Sequence, residues 1–419
     1  MGKFVVRCAE CHSEIKSRKS FIFSCRLHDA LGRSYYADKK LKIRDYPGLW
    51  RYYDWLPVKY ASEYDGKSIT YKSIELGKEL GLENLYISFN GYWPERDAIL
   101  KTCTFKELEA AVTIQYAKER GVKRLAIPSA GNTARSFAYI ASMMGLPLVL
   151  IIPQPCLFDI WLPELNRELI KTLVVKDGDY SDAISLSNGL SGAYGIINEW
   201  GGRNIARRDG LATILLDAVQ VIGKMPQHYF QAIGTGTGAI SVWEGGRRLL
   251  ESGSYGNRLP RMHLSQNMPF APMVKAWQEG RREIIPEKDM PSAENILDLI
   301  DARVLSNRYP PYGIRGGVYD VLKDTRGYTY AITNQELGDA MGLFEELEGI
   351  DIHPAAGVAT ASLIKAVEGG RISSGDTVLL NITGGGEKRL KKDERVIELE
   401  VDKFVYKDVD ISELREVLS

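Results

Sequence analysis

Leu146 to Pro153 is the longest apolar stretch of the chain, and it limits the fold more than any other segment. It is far shorter than the ~20 residues that a membrane-spanning helix needs. It therefore reads as a buried strand. Similar runs recur: Val122–Pro128, Thr172–Lys176 and Tyr194–Asn198 are short and apolar or β-rich. Between them lie stretches of helical length, Thr133–Met144, Asp159–Ile170 and Ser181–Leu190. A second series begins near Tyr229, with strands predicted at His228–Ile233, Arg261–Gln266, Tyr328–Thr333 and Thr377–Ile382 and a helix at Ala239–Glu251. Repeated strand–helix–strand units imply an α/β fold with a parallel sheet. Two series imply two domains with a cleft between them, as does a length of 419 residues. Alternation in Val396–Val401 predicts a peripheral strand near a highly charged end.

Composition excludes several classes. Lys plus Arg equals Asp plus Glu, 54 against 54, so the basic excess of a nucleic-acid binder is absent. No secretory signal is visible at the N-terminus, and no segment spans a membrane. Five cysteines in a chain of this length do not form a disulfide framework, so reduced thiols and a cytoplasmic location are expected.

Four segments can carry chemistry. In Thr102-Cys103-Thr104-Phe105-Lys106-Glu107-Leu108-Glu109, a lysine stands beside an aromatic and small hydroxyl residues at the start of a helix. Such a lysine becomes a nucleophilic amine only if burial or nearby positive charge lowers its pKa. It reads equally as an exposed first-turn lysine beside a capping Thr104. Ser129-Ala130-Gly131-Asn132-Thr133 joins a strand to a helix. Its small residues let backbone N–H groups approach an anion, or Asn132 or Thr133 is simply an N-cap. Gly234-Thr235-Gly236-Thr237-Gly238 also lies between strand and helix and forms a nest suited to a phosphate dianion. It is neither a P-loop nor the full dinucleotide fingerprint. Asn381-Ile382-Thr383-Gly384-Gly385-Gly386 ends a late strand, either as a flexible turn or as a means of placing the Thr383 hydroxyl at a ligand.

As a set, in this order and at these spacings, the segments resemble the fold-type-II family of pyridoxal-phosphate enzymes, with threonine synthase the nearest branch. The match runs from Thr102 to about Gly386. The resemblance implies a two-domain, tryptophan synthase β-like α/β fold with a small N-terminal ribbon-like appendage. It places the ribbon at 1–34, the large cofactor-binding domain at 35–115 and 228–400, the smaller α/β domain at 116–227 and a charged tail at 401–419. It makes Lys106 the Schiff-base lysine, Asn132 the partner of the cofactor's ring hydroxyl and Gly234 to Gly238 the phosphate cradle. Thr383 then meets the pyridine nitrogen. A neutral hydroxyl there does not keep the ring protonated, so loss of a β-leaving group is favoured over racemisation or transamination.

The segments Trp50-Arg51-Tyr52-Tyr53-Asp54-Trp55-Leu56-Pro57, Ile87 to Arg96 and Lys101 to Ala110 narrow the resemblance to the cysteate synthase family. Lys101-Thr102-Cys103-Thr104 stands where threonine synthases carry Asn-Pro-Thr-Gly-Ser, and Glu107 replaces an Asp. The reaction implied is replacement of the phosphate of O-phospho-L-serine by sulfite, a step toward coenzyme M. Its reactants are small molecules, and a homo-oligomer is expected. Lys106, once freed from the cofactor, takes the Cα proton. Ser129, Ala130, Gly131 and Thr133 would bind the substrate carboxylate, while Arg96, Lys101, Arg135, Arg315 and Lys388 are the cations available to anionic reactants. Threonine synthase itself, acting on O-phosphohomoserine, is the alternative enzyme. A non-catalytic ligand-binding homologue is a third reading, which the intact Lys106 opposes.

Cys8-x-x-Cys11 and Cys25-x-x-His28 are outside this set. Four N/S ligands at such spacing fit a tetrahedral structural zinc site, or else they are remnants of a degenerate ribbon. Cys103 is either a pocket residue or a packed small side chain.

Overall fold

A computed structural model describes residues 2–16, 23–129, 131–163, 165–178, 180–291 and 296–418, without the side chains of Phe158 and Asp159. The chain opens with an antiparallel ribbon of β1 (Phe4–Cys8) and β2 (Gly32–Tyr36). The larger sheet begins with β3 (Ile69–Lys72), α1 (Glu75–Glu79) and β4 (Asn84–Phe89), followed by a hairpin of β5 (Tyr92–Trp93) and β6 (Ala98–Ile99). After α2 (Lys106–Lys118) the chain builds a second sheet from β7 (Leu125–Pro128), α3 (Asn132–Met144), β8 (Leu148–Pro153), the short β9 (Trp161–Pro163), β10 (Ile170–Lys176), α4 (Tyr180–Tyr194) and β11 (Ile197–Asn198). It then returns through α5 (Ile205–Ile222) to β12 (His228–Ala232), α6 (Thr237–Ser252), β13 (Arg261–Asn267), β14 (Tyr328–Ile332) and β15 (Thr377–Ile382). Finally β16 (Val396–Glu398) pairs with β9, and β17 (Lys403–Tyr406) joins the second sheet.

The larger sheet has the order β14-β13-β12-β15-β4-β3 and is parallel except for β3. The smaller has the order β11-β7-β8-β10-β17 and is wholly parallel. Both faces of each sheet are covered, which explains the unbroken apolar runs. In β8, Leu148, Leu150 and Ile152 join the core under α2 and α3, while Val149 and Ile151 join the core under α4. In β15, Val378, Leu380 and Ile382 face one core and Leu379 the other.

Three expectations change. Asp159–Ile170 is not a helix, because Pro163 interrupts it and β9 occupies its middle. The end of the chain is not a tail: Val405, Leu414 and Leu418 are buried against the smaller sheet, and β17 pairs with β10. The boundary at 227 also moves, because α5 packs against α2 and α6 and belongs with the larger sheet.

The ribbon is held by buried charge. Ser34 and Tyr36 on β2 donate to Asp209 of α5, which Arg248 of α6 meets at 2.7 Å. Arg33 and Arg208 share Glu244. Against the push of burial, these guanidinium groups hold the Glu244 carboxyl below its usual range. Removing one member of a buried pair strands the other charge, which costs about 3–5 kcal/mol. Asp209→Ala is expected to destabilise by that order in urea unfolding. Glu251→Ala, which removes only the exposed Lys39–Glu251 pair, should change stability by less than ~1 kcal/mol.

Candidate active site

The site lies where four segments meet at the carboxyl ends of strands. β12 and β15 are neighbours, but the helix leaving β12 and the helix Pro354–Glu368 that leads toward β15 cover opposite faces. A crevice at the strand ends of such a switch point is where α/β sheets bind ligands. Here the segment before α2 crosses the crevice mouth. The Phe105 N–H donates to the Thr383 carbonyl (3.0 Å), the Thr104 hydroxyl donates to the same oxygen (3.2 Å), and the Gly385 N–H donates to the Cys103 carbonyl (3.0 Å). Lys106, the first residue of α2, is thereby set beside Thr383. Thr104 is not a side-chain cap of α2.

The glycine loop lies against the same place. A Cβ on Gly238 would come within 3.0 Å of the Phe105 ring and 2.5 Å of Gln231 Nε2. Gly236 caps α6 with φ +77, a left-handed conformation that glycine adopts readily, and no side chain caps this helix. The Thr235 and Thr237 hydroxyls hydrogen-bond each other at 2.9 Å. An uncapped, sixteen-residue helix start lined by small residues is a fit for a phosphate group. The Ser129–Thr133 loop is linked to the glycine loop by the turn at Arg303–Leu305: a Cβ on Gly131 would lie 3.1 Å from Val304 Cγ1, and one on Gly234 2.9 Å from the Val304 carbonyl. Ser129 is buried, while Asn132 and Thr133 begin α3, which Gly131 caps without a side chain. Ala130 lies outside the described residues.

Burial drives the Lys106 amine below the usual lysine range; nearby Arg207 adds to this and Glu109 opposes it. The lysine Nζ is 3.3 Å from Glu109, whose other partner is Arg207, itself 2.8 Å from Glu199. This buried chain of four charges was not read from the sequence. The spacing of Lys106 and Glu109 on one helix face was its only local signal, since Glu199 and Arg207 arrive from a distant segment. Beneath Thr383 a second polar layer joins Asn90 to Asn381 (2.8 Å) and Asn381 to Tyr229 (2.7 Å), fixing the strand ends.

The cation candidates separate. Arg96 is exposed and stacks on Tyr71 and Trp93, Lys101 pairs with Glu394, Arg315 with Glu10 and Lys388 with Glu345. Arg135 is the buried one. It lies over the Trp161 ring at 4.1 Å and donates to Asn132 Oδ1 at 2.6 Å, and its Nε has no partner. Cys103 packs with Tyr92 and Leu390, and burial pushes its thiol well up, so it serves as a packed side chain.

The family model for "Pyridoxal-phosphate dependent enzyme" matches residues 71–384. The cysteate synthase of Methanosarcina barkeri is 48% identical over 417 residues, covering 99% of this chain and 100% of the relative. That of Methanocella arvoryzae is 45% identical over 424 residues, covering 100% of both. The chain belongs to the cysteate synthase family. Solved structures share the fold at low identity: maize serine racemase has a TM-score of 0.58 at 14% identity, covering 78% of this chain and 91% of its own. A bacterial-type threonine deaminase, that of T.th., has a TM-score of 0.53 at 16% identity, covering 76% and 92%. Members of a pyridoxal-phosphate family need a phosphate cradle and a deprotonatable lysine, and the uncapped α6 start and the buried Lys106 fit both. Among the described residues no helix is long and apolar enough to cross a membrane.

Glu107, next to the lysine, gives the site a pH signature. Burial raises its carboxyl from 4.5 to about 7, although Tyr64 and the Thr102 N–H donate to it. The folded state therefore holds this proton more tightly than the unfolded chain. Its stabilisation is complete below about pH 4.5 and is lost as pH rises to about 7. The slope is at most about 1.4 kcal/mol per pH unit. Glu107→Gln is expected to flatten that part of a stability-versus-pH curve measured by urea unfolding.

Proposed function

We propose that the chain makes L-cysteate by replacing the phosphate of O-phospho-L-serine with sulfite, using pyridoxal phosphate held by Lys106. Family membership supports the product. The geometric observation that supports the chemistry is a buried lysine amine, lowered in pKa, set by backbone hydrogen bonds beside Thr383. Bound there, the cofactor supplies the electron sink that lets the Cα proton and the β-phosphate leave.

The chain's own residues supply the rest. Gly234, Thr235, Gly236, Thr237 and Gly238 would cradle the cofactor phosphate at the start of α6. Asn132 would meet the ring hydroxyl, with its Oδ1 already oriented by Arg135. Thr383 would offer an uncharged hydroxyl to the ring nitrogen, which suits β-replacement. Lys106 would take the Cα proton and return it; Glu109, pinned by Arg207, holds its amine in place. Ser129, Gly131 and Thr133 would receive the substrate carboxylate at the start of α3. Arg135, buried with one N–H unspent, is the cation we assign to an anionic reactant.

Purified enzyme given O-phospho-L-serine and sulfite should release cysteate and phosphate in equal amounts. Phosphate release from O-phosphohomoserine instead would replace this reading with threonine synthesis. Lys106→Ala should abolish turnover and the near-visible absorbance of the lysine-bound cofactor; a retained band would overturn the assignment. A hydrogen bond to a charged group contributes about 1.5–3 kcal/mol. Arg135→Met should therefore lower kcat/KM for phosphoserine or sulfite roughly 10- to 100-fold while leaving the cofactor absorbance in place.

A further inference from the structure

The N-terminal ribbon carries a second group of reactive side chains, unconnected with the cofactor. Cys8 ends β1, Cys11 lies in the turn after it, and Cys25 and His28 come just before β2. One ligand atom from each of the four lies within 4.8 Å of the other three. Cys11 Sγ is 3.9 Å from Cys25 Sγ, and Cys25 Sγ is 3.7 Å from His28 Nδ1. Sulfurs at 2.3 Å and a nitrogen at 2.0–2.1 Å from a shared tetrahedral centre would stand about 3.5–3.8 Å apart. The observed separations are therefore those of ligands around one ion rather than of a bonded sulfur pair.

Outer contacts suit thiolates. The Glu10 backbone N–H is 3.4 Å from Cys8 Sγ, and the Ser13 hydroxyl is 3.0 Å from Cys11 Sγ. Donors so placed orient and stabilise ligating sulfurs. The segment also lacks another means of holding itself. Leu27, between Cys25 and His28, is exposed, and the thiols of Cys11 and Cys25 are not in the core. Cys8 alone of the four is buried.

We propose that Cys8, Cys11, Cys25 and His28 bind one zinc ion. Three thiolates and an imidazole in tetrahedral array select zinc among common divalent ions. With all four positions filled by protein, the site is structural. Its task is to close the loop between β1 and β2. The residues that follow His28 grip the body of the enzyme: Asp29 meets Arg203 at 2.7 Å, the Leu31 N–H donates to the Arg315 carbonyl, and Arg33 reaches Glu244. The ion would thus hold the ribbon in the shape that presents β2 to α5.

The proposal is independent of the reaction assigned above and is tested on the full-length holoenzyme. Elemental analysis should find about one zinc per chain. Cobalt(II) exchanged into the site should give a thiolate charge-transfer band in the near ultraviolet and the intense visible bands of a tetrahedral ion. Cys25→Ser and His28→Ala should lower zinc content and speed proteolysis within residues 9–31, whereas Cys156→Ser should retain the metal. Protein reduced and reconstituted with zinc sulfate that holds no stoichiometric zinc and shows no cobalt charge-transfer band would overturn the proposal. So would a Cys11–Cys25 disulfide found by mass spectrometry in freshly purified protein.

Discussion

Three backbone and hydroxyl hydrogen bonds between residues 103–105 and 383–385 determine where the reactive lysine stands. The two segments are nearly three hundred residues apart in sequence, and neither is a long strand. One is the approach to α2, the other the exit from β15. Because β15 is central in its sheet, its end is held by neighbours on both sides. Lys106 inherits that rigidity, as a lysine on a mobile surface loop would not. The glycines on either side of the seam are required by the closeness of approach: a Cβ on Gly384 would meet His353 at 2.5 Å and the Cys103 carbonyl at 2.7 Å.

Opposing electrostatics then act on the amine. Burial disfavours its charged form, and Arg207 adds to that effect, while Glu109 favours the ammonium. Burial prevails because Glu109 is shared. Arg207 draws the same carboxylate, and the Glu199 carboxyl, raised by its own burial, competes weakly for Arg207. A lysine with an unshared glutamate in that position would stay protonated and could not act as a nucleophile.

Residue chemistry made much of the site legible. Lys106, the Gly234–Gly238 nest, the Ser129–Thr133 loop and Thr383 are local patterns at strand ends, and the fold brings their segments together. Local patterning also sufficed for β8 and β15, where unbroken apolar residues require burial on both faces. What escaped depends on contacts between distant segments. Arg135 looked like one cation among five until its burial and its unspent N–H set it apart. Arg207 and Glu199 have no local feature that points to Lys106. The strand Lys403–Tyr406 was hidden by composition: Lys403, Tyr406 and Lys407 suggest solvent, yet an edge strand needs only one buried side chain in this register, and Val405 provides it.

The helix α5 explains why the ribbon and the lysine belong to one mechanical unit. Consecutive residues on a helix point about 100° apart, and α5 is buried on nearly every side along its first four turns. Its neighbours Arg207, Arg208 and Asp209 therefore face three different partners. Arg207 turns to Glu109 on α2, Arg208 to Glu244 on α6 and the Gly32 carbonyl of the ribbon, and Asp209 to Ser34 and Tyr36. A close-packed helix of this kind does not deform locally to absorb a shift; it moves as a body. Loosening β2 would accordingly release the register of α5, and with it the arginine that shares the lysine's carboxylate. The ribbon thus bears on the crevice through the helix that sets the charge of the amine.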